Sequence, residues 1–387
     1  MKKICVVTTT RADYGLLKNT MREIDKDDDL ELITVVTGTH LMESYGKTID
    51  EIYDDGFDVS YIVDINFDSK SPKDISNIVG QLSIRLAEFF EDTNPDMLIV
   101  LGDRFELIPI CFCAVNEDIP IAHISGGEVT SGAIDDCVRH CVTKMSYIHF
   151  PACEIYRKRI IQLGEDPRRV YNFGDVGVEN IYKEKLLTKQ ELEKSIGISL
   201  GRPYYSVTFH PVTLERMQTQ KQMEELLLAL DSMPMFDYII TKSNADIGGN
   251  KINEMIDHFV ESHKNCYAFF SLGIKRYLSL LKFSNGIIGN SSSGIVEAPC
   301  FDIPTINIGN RQKGRLQAES IINCEPVSEN IISAIEMSDS DEFKKKLCNV
   351  QNPYGRGDTS INIVKTIKYY LQNGKIDLKK GFYDINC

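Results

Sequence analysis

Short apolar runs alternate with longer amphipathic segments along most of the chain. The apolar runs predict strands, which are Ile4–Thr8, Leu32–Thr37, Met97–Leu101, Ile119–Ile124 and Ile148–Phe150 in the first half, and Tyr204–Phe209, Tyr238–Lys242, Tyr267–Phe270, Gly286–Ile288 and Thr305–Ile308 in the second. The segments between them have the period of a helix, as in Tyr14–Ile24, Ile75–Phe90, Gln222–Leu230 and Ile274–Phe283. Strands that alternate with helices predict parallel sheets covered by helices, so the expected fold class is α/β.

A change in composition near residue 185 predicts a boundary between two domains. The stretch from Lys185 to Leu192 is charged and contains a capping box that pairs Thr188 with Glu191. The sequence Gly201-Arg202-Pro203 then leads into a new strand. Two Rossmann-like domains are therefore predicted for the 387 residues, the first over 1–184 and the second over 185–360, followed by a C-terminal segment over 361–387. In such folds the ligand lies beyond the carboxyl ends of the strands, so we expect a cleft between the domains.

Composition narrows the choice of partners and of cellular location. With a formal net charge of −13 and no block of Lys or Arg, the chain is not expected to bind nucleic acid. The first apolar run, Ile4–Val7, is too short for a secretion signal, and no run is long enough to span a membrane. We therefore expect a cytoplasmic protein without a membrane partner. In a cytoplasmic protein, its 11 cysteines are expected to be mostly buried thiols. Cys137 and Cys141 could share a helix face, but no further metal ligands stand at a suitable spacing, so no metal site is expected there.

The sequence Asn290-Ser291-Ser292-Ser293-Gly294 follows a predicted strand and precedes a predicted helix, Gly294–Pro299. The free backbone N–H groups at such a helix start, together with serine hydroxyls, suit a phosphate. Glu297, one turn further, suits the hydroxyls of a ribose, and Arg311 follows the next strand. Helix capping explains one serine but not three beside a basic loop. The pattern therefore predicts a nucleotide site.

Two polar turns end strands of the first domain. Thr8-Thr9-Thr10-Arg11 follows the first strand, and Arg11 either faces the ligand or balances Asp13 at the surface. Gly102-Asp103-Arg104 follows the third strand, where Asp103 is either a base or only orients Arg104. The spacing leaves both alternatives open.

A third polar segment combines two glycines with acidic residues. Gly126 and Gly127 allow the backbone to approach a ligand closely, and Glu128 follows them. Asp135 and Arg139 share a helix face, which is also compatible with a simple ion pair within the helix. If Asp103, Glu128 and Asp135 lie at one cleft, their repulsion is expected to raise the pKa of at least one of them.

One histidine ends a strand of the second domain. His210 follows the strand Tyr204–Phe209 and is a candidate general acid, base or diphosphate donor, although most single histidines are structural.

Several short motifs follow one another along the chain in a fixed order. They are R-A-D-Y-G, G-D-R-F-E, H-I-x-G-G-E, D-D-x-x-R-H-x-x-T-K, F-H-P, G-N-S-S-S-G-x-x-E and G-x-R-Q-K-G-R. Together they resemble the hydrolysing UDP-N-acetylglucosamine (UDP-GlcNAc) 2-epimerases of bacterial sialic-acid pathways. The resemblance implies a GT-B-like fold of two Rossmann-type domains, in which residues 361–387 form a C-terminal helix and tail that cross back onto the first domain. It also implies a homodimer or homotetramer and no metal or redox cofactor.

The reaction implied by the resemblance converts UDP-GlcNAc and water into N-acetylmannosamine (ManNAc) and UDP. It proceeds by anti elimination to 2-acetamidoglucal, followed by hydration. By resemblance Asp103 and Asp135 match positions of catalytic acids, and His210 is a donor to UDP. Together with Glu128 from the glycine segment, they are the predicted catalytic residues. The residues implied to bind the substrate or UDP are Arg11, His40, Arg104, Arg139, Ser291, Ser292, Glu297 and Arg311.

One position departs from the pattern. Many members of the family have a glutamate where this chain has Ser125, and a serine cannot serve as that base at neutral pH. Either Glu128 replaces the glutamate, or Asp103 and Asp135 share its role. Two alternatives stay open: the same reaction on UDP-2,4-diacetamido-2,4,6-trideoxyglucose in legionaminic acid biosynthesis, and a nucleotide-sugar-binding protein without activity.

Overall fold

The computed structural model describes residues 1–43, 47–65, 67, 71–129, 134–210, 216–242, 249–355, 357–374 and 376–385. The chain divides into two compact units, of which unit 1 comprises Met1–Asn180 with Tyr354–Cys387, and unit 2 comprises Ile181–Pro353. Across the described ranges, no helix is both long and apolar enough to cross a bilayer.

Unit 1 contains one six-stranded parallel sheet with helices on both faces. Its strands are β1 (Lys2–Thr8), β2 (Leu30–Val36), β3 (Tyr61–Ile62), β4 (Met97–Leu101), β5 (Ile121–Ile124) and β6 (Ile148–Phe150). The helices that follow them are α1 (Arg11–Asp25), α2 (Ile49–Asp54), α3 (Pro72–Thr93), α4 (Leu107–Asn116), α5 (Ile134–Met145), α6 (Glu154–Gln162) and α7 (Val176–Lys183), the last of which runs into unit 2.

The strand order in unit 1 is β3-β2-β1-β4-β5-β6, the order of a Rossmann fold. Alternate side chains of β1 point to opposite faces of the sheet, so that Ile4 and Val6 belong to one apolar core and Cys5 and Val7 to the other. The strands are buried on both faces, which is why they could be predicted as nearly continuous apolar runs.

Unit 2 repeats this architecture with a second six-stranded parallel sheet, in the order β12-β11-β10-β7-β8-β9. Its strands are β7 (Tyr204–Thr208), β8 (Asp237–Thr241), β9 (Cys266–Phe269), β10 (Gly286–Gly289), β11 (Thr305–Ile308) and β12 (Ile321–Cys324). Its helices are α8 (Lys189–Ile196), α9 (Arg216–Asp231), α10 (Gly249–Ser262), α11 (Gly273–Phe283), α12 (Ser293–Val296), α13 (Ser328–Asp339) and α14 (Asp341–Leu347).

The last helix, α15 (Thr359–Gln372), belongs to unit 1 although it follows unit 2 in the chain. It packs against α1, where the Ser360 hydroxyl lies 3.0 Å from that of Thr20. The backbone N–H of Ser360 donates to the buried carboxylate of Glu179 at 2.9 Å, and Lys368 pairs with Asp27 at 2.7 Å. The predicted return of the C-terminal helix to the first domain is confirmed.

Local capping explains where several helices begin and end. The predicted capping box between Thr188 and Glu191 is present at the start of α8, and Gly197 ends that helix in the left-handed conformation. Helix α1 begins in the same way with Thr10 and Asp13. The predicted helix Gly294–Pro299 is wrong in extent, because α12 covers only Ser293–Val296 and a separate 3-10 turn, Ala298–Phe301, follows it.

Candidate active site

The turn between β1 and α1 is organised by the carboxylate of Asp13. This carboxylate accepts hydrogen bonds from the backbone N–H groups of Thr9 and Thr10 at 2.9 and 2.8 Å, and from the hydroxyls of Thr8 and Thr9, both at 2.7 Å. Asp13 therefore fixes the turn that carries Arg11. It does not pair with Arg11, whose guanidinium instead lies 3.0 Å from Glu51 and is two-thirds exposed.

His40 lies beneath this turn and is fully buried. Its Nε2 is 3.0 Å from the Thr8 hydroxyl and its Nδ1 is 2.9 Å from that of Thr48. Since Thr8 donates its only hydroxyl hydrogen to Asp13, Nε2 of His40 is the donor in its bond with Thr8. Burial lowers the pKa of His40, against a smaller opposing effect of Asp13. Both ring nitrogens thus have partners within unit 1, so the assignment of His40 to substrate binding stays a prediction.

Asp103 follows β4 and forms an ion pair with Arg139 from α5. The arginine is almost fully buried, and its guanidinium also lies 3.7 Å from the Asp136 carboxylate. Asp135 is exposed at the start of α5. Two of the predicted site residues, Asp103 and Arg139, are therefore in direct contact. Repulsion among the carboxylates was expected here, but the structure shows Asp103 in an attractive contact with a positive charge.

Arg104 pairs with Glu106, a residue that sequence reasoning missed although it stands in the quoted G-D-R-F-E motif. The Arg104 guanidinium donates to Oε1 of Glu106 at 2.9 Å. Glu106 is only 1% exposed, and among the described residues its Oε2 has no hydrogen-bond partner. A buried carboxylate oxygen without a partner is costly, which marks this position as a candidate contact for a ligand donor.

The segment after β5 has an unusual backbone. Ser125 has φ of +62° and Gly127 has φ of +81°, in the left-handed region that few residues other than glycine adopt. At Gly127, a Cβ atom would meet the backbone oxygen of Tyr156 at 2.5 Å. Glu128, which follows these residues, is half-buried at the carboxyl edge of the sheet. Glu128 is therefore presented by a turn whose backbone conformation is set by Ser125 and Gly127.

In unit 2, Asn290 holds together the ends of two neighbouring strands, β7 and β10. Its side-chain oxygen accepts from the backbone N–H of His210 at 2.8 Å, and its side-chain nitrogen donates to the His210 carbonyl at 2.9 Å. His210 is half-buried there, at the carboxyl end of β7. Strands β8 and β9 lie on one side of β7, whereas β10 and the strands after it lie on the other side. In folds of this kind, ligands bind at the point where the strand order reverses.

The loop after β11 contacts Asn290 at the same strand ends. The Arg311 guanidinium donates to the backbone oxygen of Asn290 at 3.0 Å, and the side chain of Gln312 donates to the same oxygen at 2.8 Å. Gln312 is buried, whereas Arg311 is exposed at this edge of the sheet. Neither Asn290 nor Gln312 was singled out from the sequence, although both occur in quoted motifs.

The serine cluster, Ser291, Ser292 and Ser293, contains residues with different surroundings. The Ser293 hydroxyl donates to Glu297 at 2.6 Å and lies 2.7 Å from the hydroxyl of Tyr277. Burial, followed by the charge of Glu297, raises the pKa of Tyr277. Ser292 is exposed and Ser291 is half-buried, at the start of α12. Because α12 has four residues, its dipole is small, and any phosphate there depends on individual N–H groups and hydroxyls.

A separate recess of about 700 Å³ is lined in part by the loop after β11. Its lining includes the amides of Asn307, Asn310 and Asn323, together with Lys313 and Arg315. Ser291, Ser292 and Glu297 do not line it, so this recess is distinct from the serine cluster. Elsewhere in unit 2 and in unit 1, the described His, Cys, Asp and Glu residues form no group suited to hold a metal ion.

Each unit thus brings polar side chains to the carboxyl edge of a sheet in Rossmann order, and the two units together define a GT-B-like α/β protein. The fold is shared with the UDP-GlcNAc 2-epimerase of Neisseria meningitidis, solved bound to UDP-GlcNAc. That structure matches with a TM-score of 0.78 at 20% identity, over 95% of this chain and 100% of the other. The predicted fold class is therefore confirmed.

The chain belongs to the UDP-N-acetylglucosamine 2-epimerase family, whose sequence model matches residues 22–368. It is 40% identical to the GDP/UDP-N,N'-diacetylbacillosamine 2-epimerase (hydrolyzing) of Campylobacter jejuni, over 99% of both chains. It is also 39% identical to the polysialic acid biosynthesis protein P7 of Escherichia coli, over 100% of this chain and 98% of that protein. The family is one of enzymes, and membership in the 2-epimerase family is confirmed. The narrower assignment to sialic-acid pathways stays a prediction.

Proposed function

We propose that this enzyme is a hydrolysing 2-epimerase of UDP-GlcNAc, which releases ManNAc and UDP for sialic acid biosynthesis. The observation that carries the proposal is the full-length similarity to a hydrolysing sugar-nucleotide 2-epimerase and to a polysialic acid biosynthesis protein, at 40% and 39% identity. The strand-end residues of both units supply groups of the kind that this reaction needs.

Unit 2 is proposed to bind the UDP portion. Arg311 offers guanidinium donors beside Asn290, and Ser291 and Ser292 offer hydroxyls and N–H groups at the start of α12. Both kinds of donor suit a diphosphate. Glu297 is proposed to accept hydrogen bonds from the ribose hydroxyls, in an orientation held by Ser293. His210, fixed at its backbone by Asn290, is proposed to donate to the leaving diphosphate.

Unit 1 is proposed to act at the sugar ring. The hydrogen at C2 is not acidic in the substrate, so its loss must accompany cleavage of the bond between C1 and the UDP oxygen. The ring then gains oxocarbenium character, which nearby carboxylates stabilise. Asp103, Glu128 and Asp135 are the proposed carboxylates. One of them takes the C2 proton as UDP leaves with the bonding electrons, and water then adds across the resulting glycal with inversion at C2.

The arginines of unit 1 are proposed to balance the negative charge of substrate and carboxylates. Arg139 is buried against Asp103, so it orients that carboxylate and stabilises its charge. Arg11 and Arg104 are more exposed, with side chains 66% and 41% accessible, which suits contact with the diphosphate. Since Ser125 cannot act as a base, Glu128 in the turn after β5 is the proposed replacement for the glutamate found in many relatives.

A second candidate substrate is UDP-2,4-diacetamido-2,4,6-trideoxyglucose. The specific observation in its favour is the relative from Campylobacter jejuni, which is named for a diacetylated sugar and is 40% identical to this chain. The chemistry at C1 and C2 is the same for both substrates, so the strand-end residues do not separate them.

The two substrates can be separated by measuring release of free UDP from each in parallel. The proposal predicts free UDP and ManNAc from UDP-GlcNAc, with a higher kcat/KM than for the diacetamido substrate. Turnover of the diacetamido sugar alone would assign the second candidate. UDP binding without turnover of either substrate would contradict an epimerase and support a nucleotide-sugar-binding protein.

An assembly of two or four copies stays a prediction from the resemblance. Exposed apolar side chains on the adjacent helices α3 and α4, Ile84 at 65% and Phe112 at 56% accessible, are compatible with such an assembly.

A further inference from the structure

His123 is a fully buried histidine on β5 to which sequence analysis gave no role of its own. Its Nε2 lies 2.8 Å from the backbone oxygen of Gly102, and its Nδ1 lies 3.2 Å from the hydroxyl of Thr143. The imidazole also lies close against the segment after β5, since a Cβ atom placed on Gly126 would be only 2.9 Å from Nδ1.

These three contacts reach the three segments that carry the proposed catalytic carboxylates. Gly102 directly precedes Asp103 in the turn after β4. Gly126 belongs to the turn that presents Glu128, and Thr143 lies on α5, whose first turn carries Asp135. A single side chain therefore joins the supports of all three carboxylates.

The hydrogen bonds determine the protonation of the ring. The Gly102 oxygen can only accept, so Nε2 must carry the hydrogen. Nδ1 is then the acceptor for the Thr143 hydroxyl. Burial lowers the pKa of His123 to about 3, against a smaller opposing effect of the bond to Gly102, while the neighbouring His149 and His140 add to the lowering. The ring stays neutral at physiological pH and cannot act as a general acid or base there.

We infer that His123 is a positioning residue, which as a neutral Nε2–H imidazole fixes the relative placement of Asp103, Glu128 and Asp135. This inference rests on the proposed function. Its physical basis is that a shift of about 1 Å in a reacting group can cost about 100-fold in rate. The ring itself has no path to the substrate, because both of its nitrogens are used and it is buried.

The test compares His123→Gln with His123→Leu. The glutamine side-chain nitrogen can donate to the Gly102 oxygen from nearly the position of Nε2, whereas leucine fills a similar volume without a donor. The inference predicts that His123→Leu lowers kcat about 100-fold with KM changed by less than about threefold, and that His123→Gln recovers most of the loss. The exposed His258→Gln is the matched control and should match the wild type.

Two results would overturn the inference: a wild-type kcat for His123→Leu, or equal losses for the leucine and glutamine variants. If His123→Leu does not fold, nitrogen-15 NMR of the wild-type histidines decides instead. The inference requires an Nε2–H tautomer for His123 that does not titrate between about pH 5 and 9. An Nδ1–H tautomer, or titration in that range, would contradict it. Absence of turnover in the wild type would contradict the proposed function. The NMR result would still show whether His123 has the tautomer and the lack of titration that the inference requires.

Discussion

Asp103 and Arg139 form an ion pair in which the arginine side chain is 5% accessible and the aspartate 28%. The pairing leaves the carboxylate within reach of a ligand while the buried guanidinium holds its orientation. Replacing Asp103 with Asn keeps the shape but removes the charge and the basic oxygen. We predict that kcat falls by about 10²–10⁴-fold, the usual contribution of a general acid or base.

The control for Asp103→Asn is UDP affinity, measured by calorimetry, which should stay close to that of the wild type because unit 2 is proposed to bind UDP. A kcat near the wild-type value would remove Asp103 from the catalytic set.

The Arg311 guanidinium donates to the backbone oxygen of Asn290, the residue that directly precedes the three serines. We predict that Arg311→Ala weakens UDP binding by about 10- to 100-fold, since charge-assisted hydrogen bonds contribute about 1.5–3 kcal/mol. Lys313→Ala is a matched control, because Lys313 is an exposed cation in the same loop that lines the separate recess. Calorimetric titration with UDP checks both variants, and equal affinities for both would place the diphosphate elsewhere.

Side-chain partners are the part of the site that the sequence could not supply. The sequence placed Arg11 beside Asp13 as one alternative, but Asp13 is fully occupied by the turn and Arg11 meets Glu51 from α2. An ion pair of Arg139 with Asp135 in the same helix was likewise one alternative, whereas the structure brings Arg139 to Asp103, 36 residues away. Such pairs depend on how strands and helices pack, which periodicity does not encode.

Helix α12 sits close to β11 because Gly294 has no side chain. A Cβ atom at Gly294 would lie 2.6 Å from Cγ2 of the buried Thr305, whose hydroxyl donates to the Gly294 oxygen. Gly294→Ala should therefore displace the serine cluster, lowering both UDP affinity and the free energy of unfolding, the latter by about 1–3 kcal/mol.

Gly80→Ala is the control for this substitution, since a Cβ atom at Gly80 in the middle of α3 would meet nothing within 4 Å. Alanine favours a helix over glycine, so this control should be neutral or more stable by up to about 1 kcal/mol. Urea unfolding of both variants checks the comparison. Equal stabilities would mean that α12 moves away from Thr305 without cost.

Elements buried on both faces were predicted well, and short or peripheral ones were not. The central strands β1, β4 and β7 are fully or almost fully buried apolar runs that stand out in the sequence. Strand β12 is an edge strand that is only half-buried, and β3 has two residues, so neither leaves a clear apolar run. The shortness of α12 was missed because Pro299 belongs to a separate 3-10 turn, Ala298–Phe301, instead of continuing the helix.

Three buried histidines of unit 1 couple the stability of the molecule to pH. Burial lowers the pKa of His40 and of His149, and it lowers that of His123 to about 3. On unfolding, these rings recover an ordinary pKa of 6.5 and bind protons below it. The contribution of these neutral histidines to the free energy of unfolding is therefore fully present above about pH 6.5. It is lost as the pH falls from there toward their lowered folded-state pKa values.

At pH 5.5 the expected loss is about 1.4 kcal/mol for each histidine that stays neutral in the folded state. Urea unfolding at pH 7.5 and 5.5 measures it. The variant His123→Gln should lose about 1.4 kcal/mol less than the wild type between these pH values, because one titrating ring is absent. An unchanged pH dependence in that variant would show that His123 is not the source.

The family resemblance, read from motifs spread over nearly the whole chain, led to the GT-B-like fold that the structure and its relatives confirm. The length of the chain and its pattern of apolar runs, without the motifs, supported only two α/β domains. The identity of the sugar is less accessible, because substrates that differ at C4 and C6 share the chemistry at C1 and C2 on which the motifs depend.

The most direct test of the proposed chemistry is proton NMR of the purified protein incubated with UDP-GlcNAc in D₂O. The proposed elimination and hydration predict free UDP together with ManNAc that carries deuterium at C2, because the C2 proton is lost to a carboxylate and replaced from solvent. ManNAc that retains its C2 proton would contradict the mechanism. Failure to release UDP from UDP-GlcNAc would contradict the proposed substrate.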